Sequence, residues 1–224
     1  GLEAIVIAAQ RIHAGMADCI VAGGTESMSL VPMTGYKTAL NYNIASENPD
    51  YFSSMGITAE EIAKDYGITR EASDEFAYHS HMKAIKAIKE GKFKDEILPV
   101  EVEETYVDQE GQKKSRSNTV DTDECPRPDT NMESLNGLKP VFKYKGQVTA
   151  GNSSPTSDGA AFVMVMSEKM VKELNLEPQA RLMSYATAGV EPRIMGIGPA
   201  YAVPKALEKA GLKQDDLDLI ELNE

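Results

Sequence analysis

Leu2, Ile5, Ala8, Ala9 and Ile12 recur at helical spacing, and Gly15 follows as a stop, so the chain opens on an amphipathic helix. The short apolar run "DCIVAGG" comes next and reads as a buried strand, with two glycines after it that permit a close approach or a turn. Helix, turn and buried strand make half of an α/β layer. From Pro32 to Tyr144 the texture changes. "TAEEIAKDYG" carries a capping box from Thr58 to Glu61 and stops at Gly67. "TREASDEFAYHSHMKAIKAIKEG" predicts a longer helix with Phe76, Ala77, Ala84, Ile85 and Ile88 on one face. "EILPVEVEETYVD" has strand character, "QEGQKKSR" is a hydrophilic turn, and "NTVDTDECPRPDTNMESLNGLKPVF" is rich in loop formers. The α/β alternation then resumes. "AAFVMVMS" is a strand, "EKMVKELN" a helix and "ARLMSYATAGV" a strand. "GPAYAVPKALEKAG" is a helix with Pro199 near its start and Gly211 past its end, and "DLDLIELNE" is a further strand. Open α/β sheets gather ligands outside the carboxyl ends of their strands, which is where Asn223 and Glu224 fall.

The predicted organisation is an α/β fold interrupted by a mostly helical insertion with long loops, and long ordered loops usually serve a site. A chain of 224 residues can bury one substantial core or two small ones. With 42% hydrophobic and 26% charged residues it is an ordinary globular composition, and no apolar run reaches the length of a membrane span. A net charge of −12 argues against general nucleic-acid affinity. An anionic ligand would need a local basic patch and backbone N–H groups. The two cysteines lie far apart and form no disulfide framework, which points to a reducing compartment. Cys19 reads as a small buried hydrophobe, and Cys125 sits among acidic neighbours, a poor setting for a nucleophile.

Metal chemistry finds no ligand set. His79 and His81 are two apart on a helix and point to opposite sides, while His13 suits a helix C-terminus. "GTESMS" and "GIGPA" lack the spacing of a phosphate or dinucleotide loop, and no Ser-His-Asp set can be assembled. What stands out is "VTAGNSSPTSDGAAFVMVMS", where ten small and polar residues lead straight into a strand. Either it is a long turn, or its backbone is kept small so that something can approach.

"AGGTESMS", "MGITAE", "TAGNSSPTSDGAA", "MGIGPAYAVPKAL" and "DLIELNE", in that order over nearly the whole chain, resemble a thiolase, most of all the degradative 3-ketoacyl-CoA thiolases. The resemblance implies the five-layered αβαβα thiolase fold. Residues 1–31 and 145–178 would belong to the N-terminal half, 32–144 to the inserted loop domain, and 179–224 to the start of the C-terminal half. It also implies that the Gly/Ser loop lies against the pantetheine arm of coenzyme A, with Ala150 and Ser154 in contact. Arg127 matches the arginine by the adenine, Ser134 a further contact near the nucleotide, and Met55 the methionine of the acyl pocket. Asn223 matches the asparagine that holds an oxyanion-hole water.

Gly1 matches the glycine of the family's Cys-Ser-Ser-Gly motif, so the nucleophilic cysteine is expected three residues earlier. The family's histidine and second cysteine are expected beyond Glu224. This polypeptide alone is therefore expected to lack activity. The short-chain biosynthetic branch typically has His before Met-Gly, whereas Ser54 stands here, which favours the degradative branch. The implied reaction is thiolysis of 3-ketoacyl-CoA, with coenzyme A as substrate and no permanently bound cofactor. The alternatives are an acetoacetyl-CoA thiolase running in the condensing direction and a non-catalytic acyl-CoA-binding protein. A homodimer or homotetramer is implied, with β-oxidation enzymes as further partners. The expected setting is the bacterial cytoplasm, with mitochondrial and peroxisomal settings left open.

Overall fold

The computed structural model describes residues 1–223, so the expectation for Glu224 lies outside the described residues. Its elements are α1 (Leu2–His13), β1 (Cys19–Glu26), α2 (Tyr42–Glu47), α3 (Met55–Tyr66), α4 (Arg70–Lys89), β2 (Val100–Val107), β3 (Lys113–Val120), α5 (Met132–Asn136), β4 (Gly159–Met166), α6 (Glu168–Glu173) and α7 (Gly198–Ala210). They form two compact units. One combines residues 1–66 with the chain from Ser154 onward, and the other is Gly67–Ser153.

In the first unit α1 buries Val6 and Ala8. β1 pairs antiparallel with β4 in eight rungs, from Cys19 opposite Met166 to Glu26 opposite Gly159. The two glycines expected after the first strand lie inside it. A Cβ on Gly23 would stand 2.3 Å from the Ala161 carbonyl oxygen and 2.4 Å from the Phe162 ring, so this glycine serves close approach and not a turn. Beyond the ladder, the Ser29 N–H donates to Asp158 at 2.8 Å and its hydroxyl donates to the other carboxylate oxygen. Those two donations hold the Asp158 carboxyl below its ordinary range.

The helix expected to start at Thr58 starts one turn earlier. Ser54 accepts from the Ile57 N–H at 3.4 Å, in the manner of an N-cap, and buried Thr58 donates to the Met55 carbonyl at 2.8 Å. Arg193 donates to Asp65 at 2.6 Å and to Glu61 at 3.4 Å, fastening the Pro192–Ile197 turn to α3. Residues 181–190 and 217–223, expected as strands, are irregular. A strand exists only as a hydrogen-bonded pairing, and among the described residues this unit's sheet contains β1 and β4 alone. The 181–190 segment is tied to α7 by other bonds: Ser184 donates to the Ala206 carbonyl at 2.7 Å, and Lys209 to the Tyr185 carbonyl at 2.9 Å. α7 ends as expected at Gly211, at φ +69.

In the second unit Thr69 caps α4 by accepting from the Ala72 N–H at 3.2 Å. The fully buried residue of α4 is Asp74, whereas Phe76, expected on the inner face, is 64% exposed. The hydrophilic stretch expected as a turn and then loop contains β3, which pairs with β2 in eight antiparallel rungs. Every residue of both strands is exposed, so the hydropathy pattern carries no trace of β3. Asn131 caps α5 by accepting from the Ser134 N–H at 2.9 Å. No helix among the described residues is long and apolar enough to cross a membrane.

Candidate functional site

The Gly67–Ser153 unit is organised around α4. The Thr69 cap starts the helix so that Arg70 and Asp74, four residues apart, share a face. Asp74 accepts from Arg70 Nε at 2.7 Å through one carboxylate oxygen and from Asn152 Nδ2 at 2.9 Å through the other. The Arg70 Nη2 also donates to the carbonyls of Leu135, at 2.7 Å, and Leu138, at 3.1 Å. These carbonyls belong to the last turn of α5 and the residues after it, where intrahelical donors run out.

Asn152 carries the network into the Gly/Ser loop. Its Nδ2 donates to the Gln147 carbonyl at 2.9 Å, and its Oδ1 accepts from the Thr149 N–H at 2.7 Å. Thr149 is fully buried; its Oγ1 accepts from the Gly151 N–H at 3.2 Å, and its carbonyl accepts from Ser153 Oγ at 2.6 Å. A Cβ on Gly151 would meet the side chains of Leu138 at 2.5 Å and Leu135 at 2.6 Å. The smallness of Gly151 is thus demanded by the protein's own packing. Ala150, by contrast, is exposed.

The expected contact residues divide between the two units. Arg127, Ser134 and Ala150 lie in the second. Arg127 is exposed and its backbone N–H donates to His81 Nδ1 on α4 at 3.2 Å. Ser134 lies on α5, and Ala150 in the loop; α4 holds both segments through Arg70 and Asp74. Met55, Ser154 and Asn223 lie in the first unit and are all exposed. Met55 is the first residue of α3, Ser154 directly follows the loop, and Asn223 belongs to no element. Cys19 sits in β1 opposite Met166, and Cys125 is exposed in the segment after β3.

Sequence reasoning missed Arg70, Asp74, Asn152 and the His81 contact. One signal was available. Asp74 falls in register with Ala77, Tyr78, Ala84, Ile85 and Ile88, so a carboxylate stands on the apolar stripe of α4. A charge in that position demands a partner.

The family model for the thiolase N-terminal domain matches residues 1–169, and that for the thiolase C-terminal domain matches residues 176–224. The chain belongs to the thiolase family. The 3-ketoacyl-CoA thiolase of Bacillus subtilis is 49% identical over 224 residues, covering all of this chain and 57% of that protein. The acetyl-CoA acetyltransferase of Pseudomonas aeruginosa is 48% identical over 236 aligned residues, covering all of this chain and 58% of that protein. The chain therefore spans a little over half the length of the curated relatives it matches. Among solved structures, the dimeric peroxisomal thiolase of Saccharomyces cerevisiae superposes with a TM-score of 0.85 at 38% identity, over 98% of this chain and 54% of that one. Human mitochondrial 3-ketoacyl-CoA thiolase gives a TM-score of 0.81 at 38% identity, over 98% and 56%. The fold is the α/β thiolase fold. In this thiolase chain the interval between the two domain matches, 170–175, falls on α6 and the turn after it, where Asn175 takes φ +52.

Proposed function

We propose that the full-length protein containing this chain cleaves 3-ketoacyl-CoA with coenzyme A, releasing acetyl-CoA and a shortened acyl-CoA. The observation that carries the reading is the two-sided Gly/Ser loop. Thr149 and Gly151 are locked into the protein, while Ala150 and the adjoining Ser154 present small exposed groups. A small surface of that kind suits the narrow pantetheine arm, whose amides seek hydrogen bonds along an otherwise apolar tunnel. Arg127 would stack on the adenine and offset nucleotide charge, and Ser134 would contact the same end. This local provision makes a chain of net charge −12 compatible with a polyanionic substrate.

The proposed route is ping-pong. A cysteine thiolate attacks the 3-keto carbon, the carbon–carbon bond breaks, and the acetyl-CoA enolate leaves. Water held by Asn223 would stabilise the enolate oxygen, a second cysteine would protonate the enolate carbon, and Met55 would line the acyl pocket. Coenzyme A then takes the acyl group, restoring the thiol. Neither Cys19, in the β1 ladder opposite Met166 of β4, nor Cys125, in an acidic segment, suits the nucleophile. The isolated 224-residue polypeptide is proposed to be inactive for that reason. Division into 1–31 with 145–178, 32–144 and 179–224, homodimeric or homotetrameric assembly, and a cytoplasmic setting with β-oxidation partners belong to the same proposal.

A second reading, acetyl-CoA acetyltransferase acting in the condensing direction, is favoured by the name of the Pseudomonas relative. Ser54 supports the first. It stands where the short-chain branch typically carries His, and its hydroxyl caps α3. The deciding assay is thiolysis of acetoacetyl-CoA and of a long-chain 3-ketoacyl-CoA by the full-length protein. A kcat/KM on the long chain at least equal to that on acetoacetyl-CoA is expected. Activity confined to acetoacetyl-CoA moves the reading to the acetyltransferase, and coenzyme A binding without turnover leaves a binding protein.

A further inference from the structure

The buried carboxylate of Asp74 does no work that packing alone would require. Its position on the apolar stripe of α4 could be filled by an aliphatic side chain without the cost of burying a charge. What the carboxylate supplies is an acceptor with no donor of its own. One oxygen is taken by Arg70 and the other by Asn152, so the amide of Asn152 must turn its NH2 toward Asp74. That choice leaves Asn152 Oδ1 facing the Thr149 N–H and directs Nδ2 to the Gln147 carbonyl as well. The loop has no strand ladder at these positions, so one amide side chain replaces the secondary structure that would otherwise hold its backbone. The same Arg70 fastens the carbonyls of Leu135 and Leu138, and these two leucines press on Gly151 from the other side.

We infer that Asp74, held by Arg70, is a positioning residue for coenzyme A, acting through Asn152 to fix the Thr149–Ser153 backbone against which the arm lies. This rests on the reading of the loop as the pantetheine contact. Asn in place of Asp74 would keep the shape and lose the instruction, because its NH2 must then face either Arg70 or the Asn152 amide, both donors.

The test is calorimetric coenzyme A binding by the full-length protein, with hydrogen exchange over residues 149–153. Four single variants are compared with the parent: Asp74→Asn, Asn152→Ala, Ile85→Ala and Ser154→Leu. Ile85 is half-buried on α4, three turns from the network, and serves as the control for general loosening of the helix. Asp74→Asn and Asn152→Ala should each raise the Kd by roughly tenfold and speed exchange in the loop. Their combination should bind no worse than either single variant, since both break one link. Ile85→Ala should leave the Kd within about twofold. If the two network variants weaken binding no more than Ile85→Ala does, while Ser154→Leu abolishes it, the positioning role is overturned and the loop reading stands. If Ser154→Leu binds normally, the loop reading falls and takes this inference with it. Should Asp74→Asn fail to fold, Asn152→Ala carries the same comparison from the loop side.

Discussion

The two antiparallel pairs of this chain have equal length, eight rungs each, and opposite chemistry. β1 and β4 are built mainly from Ile, Val, Ala, Gly, Phe and Met, with Cys19, Thr25 and Glu26 at the ends of β1, and one rung is so close that Gly23 has no room for a Cβ. In β2 and β3 one face carries Glu101, Glu103, Thr105, Ser115, Ser117 and Thr119, the other sets Glu104, Lys114 and Arg116 among Val100, Val102 and Tyr106, and every residue is exposed. Their cross-strand contacts are ionic: Arg116 meets Glu104 at 2.6 Å, and Lys114 meets Asp108, just beyond β2, at 2.6 Å. One ladder depends on steric fit, the other on a tight turn and charge pairing. The same hydrogen-bonding geometry therefore stands on two different supports.

The sharpest way to separate them is Gly23→Val. Its Cβ would fall on a backbone oxygen that cannot rotate away, so a loss of about 3 kcal/mol or more is expected in denaturant unfolding of the full-length protein. A change within about 0.5 kcal/mol, the range of an ordinary surface substitution, would show that the ladder does not rest on this fit. Gly111→Ala probes the hairpin turn. Gly111 sits at φ +79 with open space around it, so only backbone strain opposes the change. The cost should be about 1 kcal/mol, read as faster hydrogen exchange across β2 and β3 with the global unfolding midpoint unmoved. A shift in that midpoint as large as Gly23→Val gives would erase the distinction.

Arg116→Ala removes an exposed ion pair and a guanidinium 5.7 Å from the Tyr106 ring centre. It should cost roughly 0.2–1 kcal/mol in the same exchange measurement and less at high salt. Salt-independent loss would assign the effect to packing. The smallest effect is one of pH. Lys114 first, and the Gln112 N–H second, hold the Asp108 carboxyl below its ordinary value of 3.8. A depressed folded value means that the contribution is complete above 3.8 and is lost as pH falls through the folded value. Exchange protection of the hairpin should thus be flat from neutral pH down to the carboxylate range and then weaken. Asp108→Asn should flatten that acid limb, and an unchanged limb would place the titration elsewhere.

The same contrast explains what the sequence disclosed. α1, β1, β4, α6 and α7 are legible because each carries an apolar period or run bounded by Gly, Pro or a capping Ser. β3 is not, because Lys113–Val120 has no apolar face, and its strand form follows from a turn and from charges on a neighbour. The stretches 181–190 and 217–223 err the other way, since their apolar runs imply strands that need a pairing neighbour. As candidates, Arg127, Ser134, Ala150 and Ser154 are suggested by motif resemblance. The Asp74–Asn152 link is not, for 78 positions separate its ends and no local pattern joins them. Thr58 is a subtler case. The capping-box spacing to Glu61 is present, yet Ser54 offers a cap one turn earlier and the helix takes it.

The β1–β4 ladder also sets a schedule. Thr25 and Gly159 meet across 134 positions of chain, whereas the β2–β3 turn closes over a handful of residues. A hairpin of that size forms in roughly 1–10 μs. During synthesis at roughly 5–20 residues per second, β1 emerges and then waits roughly 7–27 s for its partner strand to be made. Throughout that interval an apolar segment of strand propensity stands unpaired, open to any other chain that offers it a partner. The charged ladder closes locally and the apolar one is a delayed event, so the hazard in this protein's biogenesis lies with its apolar strand.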